Sequence, residues 1–238
     1  MLTQAQRAAL ATRLRRGRAD APDEGGPDQI RPRTGGLVKE AALPLSCGQE
    51  QLWFLDRLAR GQAASGQGTS GRAAYNVPQA LRLSGPLDPA ALGRALTRVV
   101  ARHEALRTRL AAGPGGRPVQ VIDPPAPVSP DLVDRSGHAA QVQPKLLRDL
   151  IDVESVRPFA LAAGPLLRTW LIRLAAPPVA NRAEHVLLVV AHHAIIDGWS
   201  ARLLLRDLAA LYAAEVTGEP SGLDELPVQF ADYAAWER

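Results

Sequence analysis

Cysteine is nearly absent. Cys47 stands alone among 238 residues, which excludes an internal disulfide. Long apolar runs are missing as well. The longest, Val186-Leu187-Leu188-Val189-Val190-Ala191, is far short of the roughly 20 residues that a membrane-crossing helix needs, so no membrane span is expected. The N-terminus has no charged start followed by an apolar stretch, the mark of a secretory signal, and a cytoplasmic setting is expected. Residues 1–18 are Arg-rich and acid-free, as transit peptides are, but their helical pattern reads more simply as a surface helix. Lysine is scarce too, with only Lys39 and Lys145. The pI near 9.8 therefore rests on arginine. Residues 1–42 hold 8 Lys/Arg against 5 Asp/Glu, and the rest of the chain 20 against 19. The excess charge sits in the first stretch and the body is balanced, so no nucleic-acid partner is expected.

What is present suits a folded domain. With 46% hydrophobic residues the chain can bury a sizeable core as one large domain or two small ones. Thr3 can cap a helix running through Leu10 and Leu14, giving an N-terminal helix over 1–18. Gly, Pro, Asp and Arg without apolar period then predict a flexible linker over 19–42. The folded body is expected from about Leu43. Ser46 to Leu58 has the spacing of a mostly buried helix, with Trp53 and Phe54 alongside, and the Gly/Ser/Gln stretch 61–72 reads as a loop. Tyr75 to Leu83 alternates like a strand. Asp88-Pro89 is a helix start, with Asp as N-cap and Pro at the first helical position. Leu92, Leu96, Val99, His103, Leu106 and Leu110 follow as one helical stripe. Strands are predicted at Val119–Ile122 and Leu166–Leu174, and a helix at Pro144–Val156. Glu184 to Ala191 is continuously apolar, which predicts a strand covered on both faces at the middle of a sheet. A helix over Ser200–Val216 ends at Gly218. No internal repeat is present. The fold class is α/β: a layered sheet with helices, whose central strand delivers His192 and His193 to a loop before a helix.

Titratable groups at the end of a buried strand are costly to desolvate, so this cluster invites a functional reading. Adjacent strand residues point to opposite faces, so one histidine is expected to face the core and the other a cleft. Imidazole is the natural group to take a proton near neutral pH. The structural alternative is a satisfied buried histidine followed by a turn and helix cap at Asp197-Gly198. A metal site is not expected. His185, His192, His193 and Asp197 could offer ligands, but alternation scatters the histidines, and no Cys or Glu completes a common zinc pattern. Cys47 has no evident activating neighbour, and no Gly-x-Ser-x-Gly elbow occurs.

His192-His193-Ala-Ile-Ile-Asp197-Gly198-Trp199-Ser200 resembles the His-His-x-x-x-Asp-Gly signature of nonribosomal peptide synthetase condensation domains, members of the chloramphenicol acetyltransferase-like superfamily. Three further stretches are similar to motifs of that family in the same order. They are Ser46-Cys-Gly-Gln49-Glu-Gln51-Leu52-Trp53-Phe-Leu55, Arg102-His103-Glu104-Ala-Leu106-Arg107-Thr108 and Val228-Gln229-Phe-Ala-Asp232-Tyr233-Ala-Ala-Trp236. The segments Tyr75-Asn76-Val77-Pro78, Gly85-Pro86-Leu87-Asp88 and Gly164-Pro165-Leu166-Leu167-Arg168 fit as well. The resemblance covers about 43–238 and corresponds to the N-terminal lobe of a two-lobed domain, with the C-terminal lobe absent.

The resemblance implies a reaction. The amine of an acceptor aminoacyl group attacks the thioester of a donor acyl or peptidyl group, both on 4'-phosphopantetheine arms of carrier proteins. No cofactor is then bound by the chain itself. The expected partners are peptidyl and aminoacyl carrier proteins, together with the missing C-terminal lobe or downstream synthetase domains. His193 would be catalytic, taking the amine's proton or hydrogen-bonding the tetrahedral intermediate. His192 would be structural, Asp197 would orient the loop, and Gly198 would let backbone approach the arm. Trp53, Leu55, Leu106, Tyr233 and Trp236 read as core residues, and Arg102 and Arg107 as ion-pair partners. The family usually carries Arg at the position of Gln51, thought to pair with the motif aspartate, so Asp197 needs another partner here or its loop is less well fixed. An incomplete or split domain is expected to have little activity alone. The alternative function is a non-catalytic remnant that docks carrier proteins. A third keeps the fold but forms esters or epimerises, although Asp197-Gly198-Trp199-Ser200 looks more like peptide-forming members. Residues 1–42 resemble the helix and linker that precede many such domains.

Overall fold

The computed structural model describes residues 29–33, 43–64, 73–175 and 184–238. The helix expected over 1–18 lies outside the described residues, as does most of the linker expected over 19–42. From β1 (Leu43–Pro44) the chain runs through α1 (Cys47–Ala64), β2 (Asn76–Ser84), α2 (Pro89–Arg102), β3 (Thr108–Ala112) and β4 (Pro118–Ile122). It continues with β5 (Asp131–Asp134), α3 (Gln143–Val156), β6 (Leu167–Leu174), β7 (Glu184–His192), α4 (Gly198–Thr217) and α5 (Phe230–Trp236). None of the described helices is long and apolar enough to cross a membrane.

The larger sheet has the order β2-β7-β6-β5, with β7 antiparallel to both neighbours and β5 parallel to β6. The unalternating apolar run of β7 is therefore central, and every residue from His185 to His192 is buried. At the edge, β2 alternates exposed and half-buried residues. An edge strand tolerates Pro78, which has no N–H to give. Helix α3 lies against β2 and β7, while α2 and α4 pack on each other. Leu92, Leu96 and Val99 of α2 join Leu204, Leu208 and Leu211 of α4 in the core cluster of the sheet. Burying each such side chain contributes about 1.5–3 kcal/mol.

Local chemistry sets the helix ends. The Asp88 carboxylate accepts from the N–H groups of Ala90 and Ala91 at 2.8 and 3.1 Å. Gly218 ends α4 in the left-handed conformation, φ 77°, where a Cβ would be strained.

Three expectations need correction. The helix opened by Asp88 does not continue to Leu110. The chain becomes extended at His103, makes a 3-10 turn over Glu104–Arg107 and enters β3 at Thr108. Leu106 and Leu110 are buried all the same. The cause is tertiary. β3 pairs with β4 from Thr108↔Ile122 to Ala112↔Pro118, and β1 completes a second, three-stranded sheet. Helix α1 is not mostly buried either, with Phe54 61% and Leu58 49% exposed, and it continues through Gly61 into the stretch expected to be a loop. Trp236 is 46% exposed rather than in the core. Pro32 and Arg33 belong to the same compact unit as the folded body. Arg33 reaches two buried carboxylates: its Nε lies 3.0 Å and its backbone N–H 3.1 Å from Asp232 Oδ1, and its Nη2 pairs with Glu104.

Candidate active site

The end of β7 separates the two histidines. His192 is 2% exposed, while His193 is exposed to solvent, as alternation along a strand requires. The His192 ring sits edge-on to Tyr75 and Phe159, with centroids 6.4 and 6.3 Å away. Its Nδ1 accepts the backbone N–H of Ala194 at 3.1 Å. A ring that accepts at Nδ1 is neutral and carries its proton on Nε2. Burial pushes its pKa down to about 4 against the pull of Asp56, and His193 acts in the same sense as burial.

The floor beneath His192 explains two of the shorter matching segments. The Arg168 guanidinium lies 3.9 Å over the Phe159 ring and donates to the carbonyls of Glu154 and Arg157 at the end of α3. Asn76 Nδ2 donates to the carbonyls of Ser155 and Arg157 at 2.8 and 2.9 Å. Together these side chains satisfy carbonyls that a helix end leaves free and hold Phe159 against His192.

Backbone bonds fix the loop. The His193 N–H donates to Tyr75 O at 2.8 Å, and the Ile195 N–H to His192 O at 3.0 Å. Ala194, Ile195 and Ile196 are buried and anchor it in the core. The Ala194 carbonyl accepts from Gln49 Nε2 at 3.1 Å. The Asp197 carboxylate caps α4, accepting from the Ser200 N–H at 2.7 Å. The Ser200 backbone and side-chain bonds hold this carboxyl below the usual carboxylate range. Gln51 is exposed on α1, so the partner of Asp197 is the first turn of its own helix. Gly198 has an ordinary backbone conformation and open space where a Cβ would stand. A side chain is excluded by neither strain nor contact.

Other candidates fall elsewhere. His185 is buried toward the opposite end of β7. Among the described residues no group of three or more His, Cys, Asp or Glu side chains could hold a metal ion. Cys47 is exposed, and its backbone N–H donates to Glu237.

Arg102 and Arg107 act as ion-pair partners. Arg107 lies 3.6 Å from Glu104, and Arg102 Nε 3.2 Å from Asp207 Oδ2. Asp207 was not singled out by the sequence, although an acid inside the apolar stripe of α4 was a signal. It is 0% exposed and also takes His103 Nε2 at 2.9 Å and Arg206 Nη2 at 2.8 Å. Its burial acts to raise the pKa, but the bonds from Arg206, His103 and Arg102 outweigh it and leave the value lowered. Between this cluster and the loop lies a groove of about 270 Å³, lined by Ile196, Asp197, Leu203, Val228 and Phe230 among others.

The family model described as "Condensation domain" matches residues 39–238. The isonitrile lipopeptide synthase of Mycobacterium tuberculosis is 40% identical over 220 residues, 92% of this chain and 8% of that protein. The X-domain in its complex with OxyB from teicoplanin biosynthesis superposes with a TM-score of 0.66 at 32% identity, over 87% of this chain and 40% of that one. The first condensation domain of the calcium-dependent antibiotic synthetase, in complex with a substrate analogue, gives a TM-score of 0.63 at 29% identity. That match covers 78% of this chain and 40% of that one.

Proposed function

Because the chain belongs to the condensation-domain family of nonribosomal peptide synthetases, with the chloramphenicol acetyltransferase-like fold, we propose that it contributes the histidine side of a peptide-bond-forming site. The observation that carries this reading is the exposed imidazole of His193, held on a fixed loop directly after the buried, neutral His192. The substrates are thioesters brought on the phosphopantetheine arms of donor and acceptor carrier proteins. As the acceptor amine nitrogen bonds to the thioester carbonyl carbon, His193 takes an N–H proton or hydrogen-bonds the tetrahedral intermediate. The C–S bond then breaks, and the departing sulfur receives the proton. Backbone bonds hold the loop that carries His193, and open space at Gly198 leaves room for an arm to approach.

The chain spans about two-fifths of the solved domains it matches. A second lobe is therefore part of the proposal, and the chain alone is expected to form little product. A cytoplasmic setting fits its single cysteine. The test mixes the chain, a separately supplied second lobe and two aminoacyl-loaded carrier proteins, and reads dipeptide on the acceptor carrier by mass spectrometry. Product is expected from the unmodified chain and none from His193→Ala. Equal product from both would remove His193 from the chemistry.

The complex of an X-domain with OxyB favours a second reading, in which this lobe docks another protein without reacting. Carrier binding without product from any combination of lobes would support that reading over the first.

A further inference from the structure

We infer that Gln49 is a positioning residue for the His193 loop, acting through the carbonyl of Ala194; this rests on the acyl-transfer reading above. Gln49 is 3% exposed on the first turn of α1. Its amide is used at both ends. Oε1 accepts the Ser46 N–H at 3.1 Å, while the Gln49 N–H donates to Ser46 Oγ at 3.2 Å, a reciprocal capping box. That arrangement fixes which way the amide faces. Nε2 is thereby aimed at the Ala194 carbonyl, 3.1 Å away, with Gln120 Oε1 at 3.5 Å as a second acceptor. Gln120 is itself held, donating to Pro44 O at 2.7 Å.

The two peptide groups that follow His193 are both engaged. The N–H of Ala194, in the first, donates to His192 Nδ1, and the C=O of Ala194, in the second, accepts from Gln49 Nε2. The His193 N–H goes to Tyr75 O. The peptide groups on either side of the His193 Cα are thus pinned by the His193 and Ala194 N–H bonds, Gln49 pins the peptide that follows, and rotation of this backbone is the motion that would swing the imidazole away from a substrate. Tyr75 stands just before β2, and of these partners Gln49 is the one carried by a helix. It couples the start of α1 to the placement of His193.

Gln49→Glu isolates the donated bond, because the ionised carboxylate still accepts from Ser46 but cannot donate to Ala194. With the supplied second lobe and loaded carriers, kcat is expected to fall about ten- to a hundredfold with KM for the carriers unchanged. A folded Gln49→Glu protein with undiminished kcat would overturn the inference. Should this variant fail to fold, the unmodified chain still decides. In the chain labelled uniformly with nitrogen-15 and carbon-13, a coupling through the hydrogen bond from Gln49 Nε2 to the Ala194 carbonyl carbon is expected. Its absence, in a spectrum that shows the backbone couplings of β7, would equally overturn it. His193→Ala is the separate arm: full activity there removes the functional reading itself, whereas loss there beside a normal Gln49→Glu removes only the role of Gln49.

Discussion

The loop that carries His193 and the seam where α2, α4 and α5 come together are fixed by different chemistry. From His192 to Ile195 the bonds join neutral groups: the imidazole of His192, the amide of Gln49, and peptide N–H and C=O. Behind it, buried acids are matched to arginines, with Asp207 against Arg102 and Arg206, and Glu104 and Asp232 against Arg33. Neutral hydrogen bonds fix the direction of the His193 backbone, and the charged group of the loop, the Asp197 carboxylate, serves as the cap of α4. Ion pairs tie distant segments together at the seam, where each buried carboxylate needs a charged partner.

Removing the neutral frame is expected to have the largest effect. His192→Ala empties a ring-sized space and leaves the Ala194 N–H unpaired. A loss of about 3–5 kcal/mol is expected in urea unfolding. His192→Asn, whose carbonyl can accept the same N–H, should lose less. Equal losses would mean that the hydrogen bond contributes nothing beyond volume.

Acid is the next way to break the frame. In the unfolded chain His192 titrates near its ordinary 6.5, and in the fold near about 4. Between those values the unfolded state binds the extra proton. The stability from keeping the ring neutral is therefore complete above pH 6.5 and is lost as pH falls toward about 4, by about 3 kcal/mol in all. His185, whose pKa burial also lowers, acts in the same sense. Urea midpoints measured across this range should fall in the unmodified chain and fall less in His192→Asn. A flat profile in the unmodified chain would show that the fold accepts a protonated His192.

The third prediction concerns the seam. Arg33→Ala leaves Glu104 and Asp232 buried with one positive charge fewer. It should cost about 2 kcal/mol, less than a fully enclosed pair because Arg33 is 25% exposed. A double-mutant cycle with Glu104→Gln should return a coupling above about 0.5 kcal/mol. Additive losses would show that Arg33 and the Glu104 turn are independent.

The comparison also explains which parts were legible in the sequence. The central position of β7 followed from its unbroken apolar run, and the opposite fates of His192 and His193 from alternation. The caps at Asp88 and Gly218 followed from local residue chemistry. All of these are short-range signals. The partners that fix the site are not: Gln49 and Ala194 are 145 residues apart, and Arg33 and Asp232 are 199 apart. No periodicity records such a pairing. The stripe through Leu106 and Leu110 misled because a turn followed by a strand buried the same residues as one more helical turn would have done. The short strand β5 went unseen, since Asp131-Leu132-Val133-Asp134 offers little pattern and exists by pairing with β6.

The smallest expected effect lies at the loop's far end. Asp197→Ala removes the cap of α4 and should cost about 1 kcal/mol in urea unfolding, with Asp197→Asn costing less. A much larger loss would show that Asp197 holds more than its own helix.

The most direct test of the neutral frame is a nitrogen-15 spectrum of the histidine rings in the folded chain near neutral pH. The structure predicts that His192 is a single neutral tautomer, with the proton on Nε2 and a bare Nδ1 hydrogen-bonded to the Ala194 N–H. A protonated His192 ring, or one carrying its proton on Nδ1, would contradict the account.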